Sequence, residues 1–204
     1  MSSIDKLTER FREFPGIGPR QAKRFVYFLL GRNKAYLNEL SKLLLQISEE
    51  IRSCERCFRF FNGGTKSALC ATCRDTSRDK EKLLIVEKDI DLETIDRSGA
   101  YKGYYFVLGG TVPILEKEPE KKVRLKELLS RIKEDSKNEL KEIIFAFSVN
   151  ADGEHTVEYM LNTLKDLAAA AQIKLSVLGR GLSTGAEVEY IDSDTIKNAL
   201  KNRA

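Results

Sequence analysis

Cys54, Cys57, Cys70 and Cys73 are the only cysteines in the chain. They fall as two C-x-x-C pairs separated by about a dozen residues, the layout of a structural zinc ribbon or knuckle. Each pair turns two thiolates towards one point, and four thiolates close a tetrahedral shell around Zn²⁺ with no position left for a substrate. One zinc per chain, held this way, stabilises a fold and performs no reaction. The other reading, two disulfides or four unrelated thiols, asks for an oxidising compartment, and nothing else in the chain points to secretion.

A second chemistry is written in Phe14-Pro15-Gly16-Ile17-Gly18-Pro19-Arg20. Gly16 and Gly18 let the backbone approach a phosphate, and amides at the start of a following helix point at it. Arg20, Lys23 and Arg24 lie in the first turns of that helix and add charge. Contacts of this kind read the nucleic-acid backbone and not the bases, so DNA binding would be sequence-independent and salt-sensitive. An ordinary tight turn between two helices reads the same way locally. Charge separates the two readings: residues 1–34 carry eight Lys or Arg against Asp5, Glu9 and Glu13, a net +5, while the whole chain is +4. A basic block on a nearly neutral body suits a polyanion, although a solvated helical face is the bland alternative.

A third set is acidic. Glu87 ends an apolar run, Asp89 and Asp91 follow it, and Asp152 and Glu154 sit in a later loop. On one edge of a sheet such carboxylates could hold Mg²⁺, as in nucleases and topoisomerases. Loop and helix-capping acids would look alike, Asp91 especially. His155, the only histidine, has no coupled partner in the sequence and is poor ground for acid–base catalysis.

The elements that must position these groups follow from periodicity. Ile4, Leu7, Phe11 and Phe14 recur at helical spacing behind Ser2 and Ser3. Pro19 opens a helix that Gly31 ends, which makes a helix-hairpin-helix. From Ala35 to Arg52, apolar positions from Leu37 to Ile51 recur every three or four residues and predict a helix leading into the cysteine module. There Arg56, Arg59, Phe60, Phe61 and Lys66 could touch nucleic acid or simply pack, and Gly63-Gly64 is expected to turn a hairpin. Runs at 82–86, 104–108, 142–147 and 173–177 read as strands alternating with helices at 91–97, 123–133 and about 155–171, a parallel α/β sheet with its functional loops at the strands' carboxyl ends. The tail from Leu178, with Gly179, Gly181 and Gly185, reads as a turn or interface segment, then a strand-like stretch at 187–191 and a helix at 193–201. At 204 residues, 42% hydrophobic and 32% charged, the chain suits a globular protein. The N-terminus has no apolar leader, and no apolar run approaches the roughly 20 residues of a membrane span. Hence the expectation is a cytoplasmic protein with no membrane partner.

Taken in this order, the modules are similar to the RecR family of bacterial recombination mediators, whose α/β part is a Rossmann-like Toprim domain. The resemblance covers nearly the whole chain. It rests on Phe14 to Arg20, the cysteine quartet, Ile85-Val86-Glu87 with Asp91, Tyr101 to Gly110, Asp152-Gly153-Glu154, and Gly181 to Gly185 with Glu189-Tyr190. It implies a helix-hairpin-helix region at 1–53, a C4 zinc finger at 54–78, a Toprim domain at 80–177 and a C-terminal interface segment at 178–204. It also implies a non-enzymatic DNA-repair protein that works with RecO and RecF and helps load RecA onto gapped, protein-coated single-stranded DNA. Such proteins form dimers or ring-like tetramers able to encircle DNA. The family's basic positions fall on Arg20 and Arg24, and its Toprim glutamate on Glu87 with Asp91 beside it, acids associated with partner or metal contact. The chain departs from the family at Tyr105-Phe106 (usually Tyr-His), at Ser148-Val149-Asn150 (usually Asn-Pro-Thr) and at Ser183-Thr184 (usually Pro-Val). A catalytic Toprim domain carries Asp-x-Asp after its third strand, which Asp152-Gly153-Glu154 only approximates. The alternative reading is a Mg²⁺-dependent Toprim nuclease or primase-like enzyme using Glu87, Asp91, Asp152 and Glu154.

Overall fold

Ser2 starts the first helix as its type predicts: its hydroxyl accepts from the Asp5 N–H at 3.2 Å, and the Asp5 carboxylate accepts from the Ser2 N–H at 2.9 Å. This reciprocal box satisfies amides that have no partner inside the helix. The computed structural model describes residues 1–63, 67–179, 181, 182, 185 and 187–201. Gly64, Lys66, Ser183 and Thr184, singled out above, lie outside them. The chain divides into two compact units, Met1–Ile51 and Arg52–Ala204.

The first unit holds α1 (Ser3–Arg12), α2 (Pro19–Leu30) and α3 (Lys34–Glu50). Gly16 has φ +73°, the left-handed backbone that glycine adopts without a Cβ penalty, and this reverses the chain between α1 and α2. Phe11 meets Phe14 and Phe25 edge-on, each at 5.7 Å between ring centres, and Ala22 and Val26 are buried beneath. In α3, capped by Asn33, no residue is buried.

The second unit is built on one parallel sheet. Its strands are β3 (Asp79–Val86), β4 (Gly103–Val107), β5 (Glu142–Ala146) and β6 (Lys174–Val177), in the order β4-β3-β5-β6. Ile85 stands opposite Phe106 on one side and Phe145 on the other. Alternate residues face opposite layers. Leu83, Ile85, Phe106, Ile143 and Phe145 pack against α6 (Leu125–Asp135) and α7 (Ala151–Ala170). Leu84, Val86, Tyr105 and Val107 pack with Leu92 of α5 (Asp89–Ser98). Both faces are covered, which is why these strands read as unbroken apolar runs.

The cysteine module comprises β1 (Ile51–Ser53), its partner β2 (Phe60–Asn62) and α4 (Ala71–Arg74). The first C-x-x-C pair lies in the connection between these two strands, with Cys54 N–H donating to the Arg59 carbonyl at 2.9 Å and Phe58 N–H to the Cys54 carbonyl at 2.8 Å. The turn expected at Gly63-Gly64 extends outside the described residues. Two expectations shift. Asn150 caps α7 through the Gly153 N–H at 2.8 Å, so Asp152 and Glu154 stand in the helix's first turn and not in the preceding loop. In the tail, Val188–Tyr190 forms a 3-10 turn rather than a strand, followed by α8 (Ser193–Lys201). No helix among the described residues is long and apolar enough to cross a membrane.

Gly153 is required by close approach. A Cβ there would lie 2.0 Å from the Ser148 carbonyl oxygen. Gly153→Ala is expected to cost about 1–3 kcal/mol or more through this overlap, seen as a lower urea midpoint at unchanged slope.

Candidate metal centre, nucleic-acid interface and acidic edge

The four cysteines converge as their spacing predicts. All are buried, and their sulfurs lie within 4.8 Å of one another. Cys57 Sγ and Cys70 Sγ are 3.6 Å apart. A tetrahedral zinc shell with Zn–S near 2.3 Å places its sulfurs about 3.8 Å apart, so the residues fit a metal of that kind. The Cys70 N–H donates to Cys54 Sγ at 3.3 Å, a bond that favours the thiolate. Cys54 is held well below an ordinary thiol, first by the S–H of Cys57 and then by those of Cys70 and Cys73. Cys57, as donor to Cys54, is pushed up. Four buried sulfurs this close together are placed to ligate one ion.

This module is fastened to the sheet. The Cys57 carbonyl accepts from Val107 N–H at 2.8 Å. Phe58 takes a left-handed backbone (φ 62°) and meets Phe106 edge-on at 5.4 Å. Arg56 pairs with Asp135 at 2.9 Å. Asp89, a candidate for the acidic edge, instead accepts from Phe60 N–H at 2.6 Å. Sequence reading missed these roles of Phe58 and Asp135, because their partners are about fifty and eighty residues away. Arg59 faces Thr72 and Asp96, and Phe61 packs on the cysteines, so both are used in packing.

In the N-terminal unit, α1 and α3 have side-chain caps, whereas α2 begins at Gly18 with no side-chain cap and no acid in its first turn. Pro19 supplies no N–H. Arg20, Lys23 and Arg24 are exposed and lie at i, i+3 and i+4, hence along one face. A bare, positive helix start beside an exposed Gly16–Gly18 turn presents amides and cations together.

The acidic edge is only partly assembled. Ser148, after β5, donates to Glu87, after β3, at 3.2 Å, so the two loops do open on one edge. Glu87 is only 6% exposed and pairs with the Lys88 ammonium at 2.5 Å. Glu87 first among the neighbouring acids raises the Lys88 pKa. The Asp91 carboxylate accepts from Lys88 N–H at 2.9 Å and so serves the start of α5. Asp152 and Glu154 are exposed on α7. Among the described residues the cysteines form the one group of three or more ligating side chains gathered closely enough for a metal. Lys88 carries the positive charge nearest Glu87, a role no motif announced. His155 lies 3.0 Å from the Val112 carbonyl through Nδ1, a structural contact.

Comparison with known proteins covers the same modules. Residues 4–47 match the family described as RecR, helix-hairpin-helix, residues 81–179 the Toprim domain, and residues 181–204 RecR, C-terminal. The chain is 32% identical to the recombination protein RecR of Bdellovibrio bacteriovorus, over 100% of this chain and 97% of that one. It is 34% identical to the protein of the same name from Chloroflexus aurantiacus, over 98% and 93%. Against the one from Lactococcus lactis it is 34% identical over 98% and 96%.

Proposed function

Because the chain belongs to the RecR family of recombination proteins, we propose that it is a DNA-repair recombination mediator that grips DNA through its helix-hairpin-helix and performs no chemistry of its own. The observation that carries this reading is the uncapped start of α2 with Arg20, Lys23 and Arg24 on one face. There the backbone amides in the first turn of α2, after Pro19, meet phosphates and the three cations neutralise their neighbours. Zn²⁺ held by Cys54, Cys57, Cys70 and Cys73 supplies the folding free energy of the module at 54–78. The regions 1–53, 80–177 and 178–204 serve as DNA grip, Toprim platform and assembly segment.

The partners are DNA, RecO and RecF, and the product of their joint action is RecA loaded on gapped single-stranded DNA in the cytoplasm. A second copy of the chain is a further partner. Leu43, Leu44, Leu45 and Ile47 of α3 are each more than half exposed, with Tyr27 and Leu30 of α2 beside them in kind. Apolar exposure on that scale belongs to an interface, which supports the dimer or ring-like tetramer. RecA loading on gapped DNA coated with single-strand-binding protein, with and without RecO and RecF, tests the mediator reading. Loading should accelerate only with this chain present, and unchanged loading would reject it.

The Toprim domain keeps one rival in play, a Mg²⁺-dependent nuclease or primase-like activity. Against it stand the engagement of Glu87 by Lys88 and Ser148 and of Asp91 by the α5 start. Labelled single- and double-stranded DNA incubated with the protein and Mg²⁺ should stay intact and unextended. Metal-dependent cleavage or synthesis that disappears in Glu87→Gln would overturn the mediator reading in favour of the enzyme.

A further inference from the structure

The outer strand β4 is bonded within the sheet to β3 alone, yet all five of its residues are buried. An outer strand ordinarily presents a row of unpaired N–H and C=O groups. The Leu108 N–H donates to the Val86 carbonyl, so in a parallel ladder Gly103, Tyr105 and Val107 turn their backbone groups away from β3. Each of those three carbonyls accepts from a different arginine. Gly103 is bonded by Arg78 Nε at 2.9 Å, Tyr105 by Arg131 Nη1 at 3.2 Å, and Val107 by Arg124 Nη1 at 2.9 Å. The Val107 N–H is taken by the Cys57 carbonyl at 2.8 Å.

The arginines are held by the aromatic rings around the strand. Arg78 lies 5.3 Å from the Tyr105 ring centre, Arg124 5.5 Å from Phe58 and Arg131 6.0 Å from Tyr104. Arg131, 5% exposed, also donates to the Arg56 carbonyl at 2.7 Å, so its position depends on the cysteine turn. Tyr104-Tyr105-Phe106-Val107-Leu108 has high β-propensity, no charge and no proline, the composition of a strand that pairs with its own kind.

We propose that the cysteine module and Arg78, Arg124 and Arg131 form a guard over the β4 edge, and that the surface they cover pairs with β4 of a second copy once the guard is released. The proposal rests on the reading that the cysteines hold zinc. Metal loss frees the Cys54–Arg59 turn, which removes the Cys57 carbonyl from Val107 and the Arg56 anchor from Arg131. Two identical edges related by a two-fold axis then pair antiparallel, each supplying the groups that the other lacks. This contact is distinct from one made by α2 and α3, because it forms only when metal is lost.

Hydrogen exchange on the full chain tests it, with zinc counted by native mass spectrometry before and after a chelator. At concentrations too low for copies to pair, protection of 103–108 should fall at least about tenfold on chelation, through the released Val107 N–H, while that of 142–146 stays within about twofold. Pairing at higher concentration should restore the protection of 103–108. A concentration-dependent increase in assembly size should accompany the change, and both effects should reverse when zinc is restored. Simultaneous loss of protection in both segments would overturn the guard, making the metal a support for the whole unit. So would unchanged protection at low concentration after zinc has left, with the metal reading intact. A native chain without zinc would remove the metal reading and this proposal together.

Discussion

Reversing Arg20 and Arg24 together to Glu should reduce DNA affinity about a hundredfold near physiological salt, as two attractive phosphate contacts become repulsive. The log–log salt slope should fall by about 2, one for each lost contact. Both side chains are exposed on α2, so the fold and zinc content should be unaffected. A paired Arg20→Lys, Arg24→Lys protein keeps the point charges and should retain most of the affinity, since a helix-start phosphate needs charge more than a bidentate fork. Fluorescence anisotropy over a range of salt reads both quantities. Undiminished binding by the charge-reversed protein would move the DNA interface off this helix.

Cys54→Ser should abolish stoichiometric zinc binding and cost more than about 4 kcal/mol, the range that lost metals and disulfides reach. In a chain of this size that corresponds to a melting midpoint lower by roughly 10 °C or more. A serine hydroxyl does not ionise near neutrality, and the three remaining thiols cannot close the shell. The four sulfurs lie within 4.8 Å and all are buried, so the defect is internal. It spreads because Cys57, Phe58 and Arg56 fasten the module to Val107, Phe106 and Asp135. Calorimetry and metal analysis check the two effects, and near-normal zinc content and stability would refute the structural role. No catalytic step should be lost.

What the chain discloses in advance is what local chemistry determines. Cysteine spacing implies convergence because the two ligands of each pair are neighbours, and Gly18-Pro19 marks the start of α2 because backbone freedom and a missing N–H act on the spot. The four buried strands follow from their apolar runs. Pairing between distant segments is less accessible. The order that puts β4 on the outside, and therefore under the cysteine module, depends on packing among several elements, and no residue in β4 announces it. Arg78, Arg124 and Arg131 look like ordinary surface charges until three outward carbonyls are seen to need donors. At the acidic edge, a single cap decides the outcome. Asn150 starts α7 early enough to bring Asp152 and Glu154 into its first turn. Glu87, meanwhile, meets Lys88 and Ser148 instead of further carboxylates.

The most direct test of a mediator that grips the DNA backbone is the affinity of the intact, zinc-loaded protein for two duplexes of unrelated sequence, and for single strands, as salt is raised. Affinity should be alike for the two duplexes and fall linearly in log–log form, with a slope set by the phosphates neutralised. Binding that ignored salt, distinguished the sequences strongly, or was absent both alone and with RecO and RecF would contradict it.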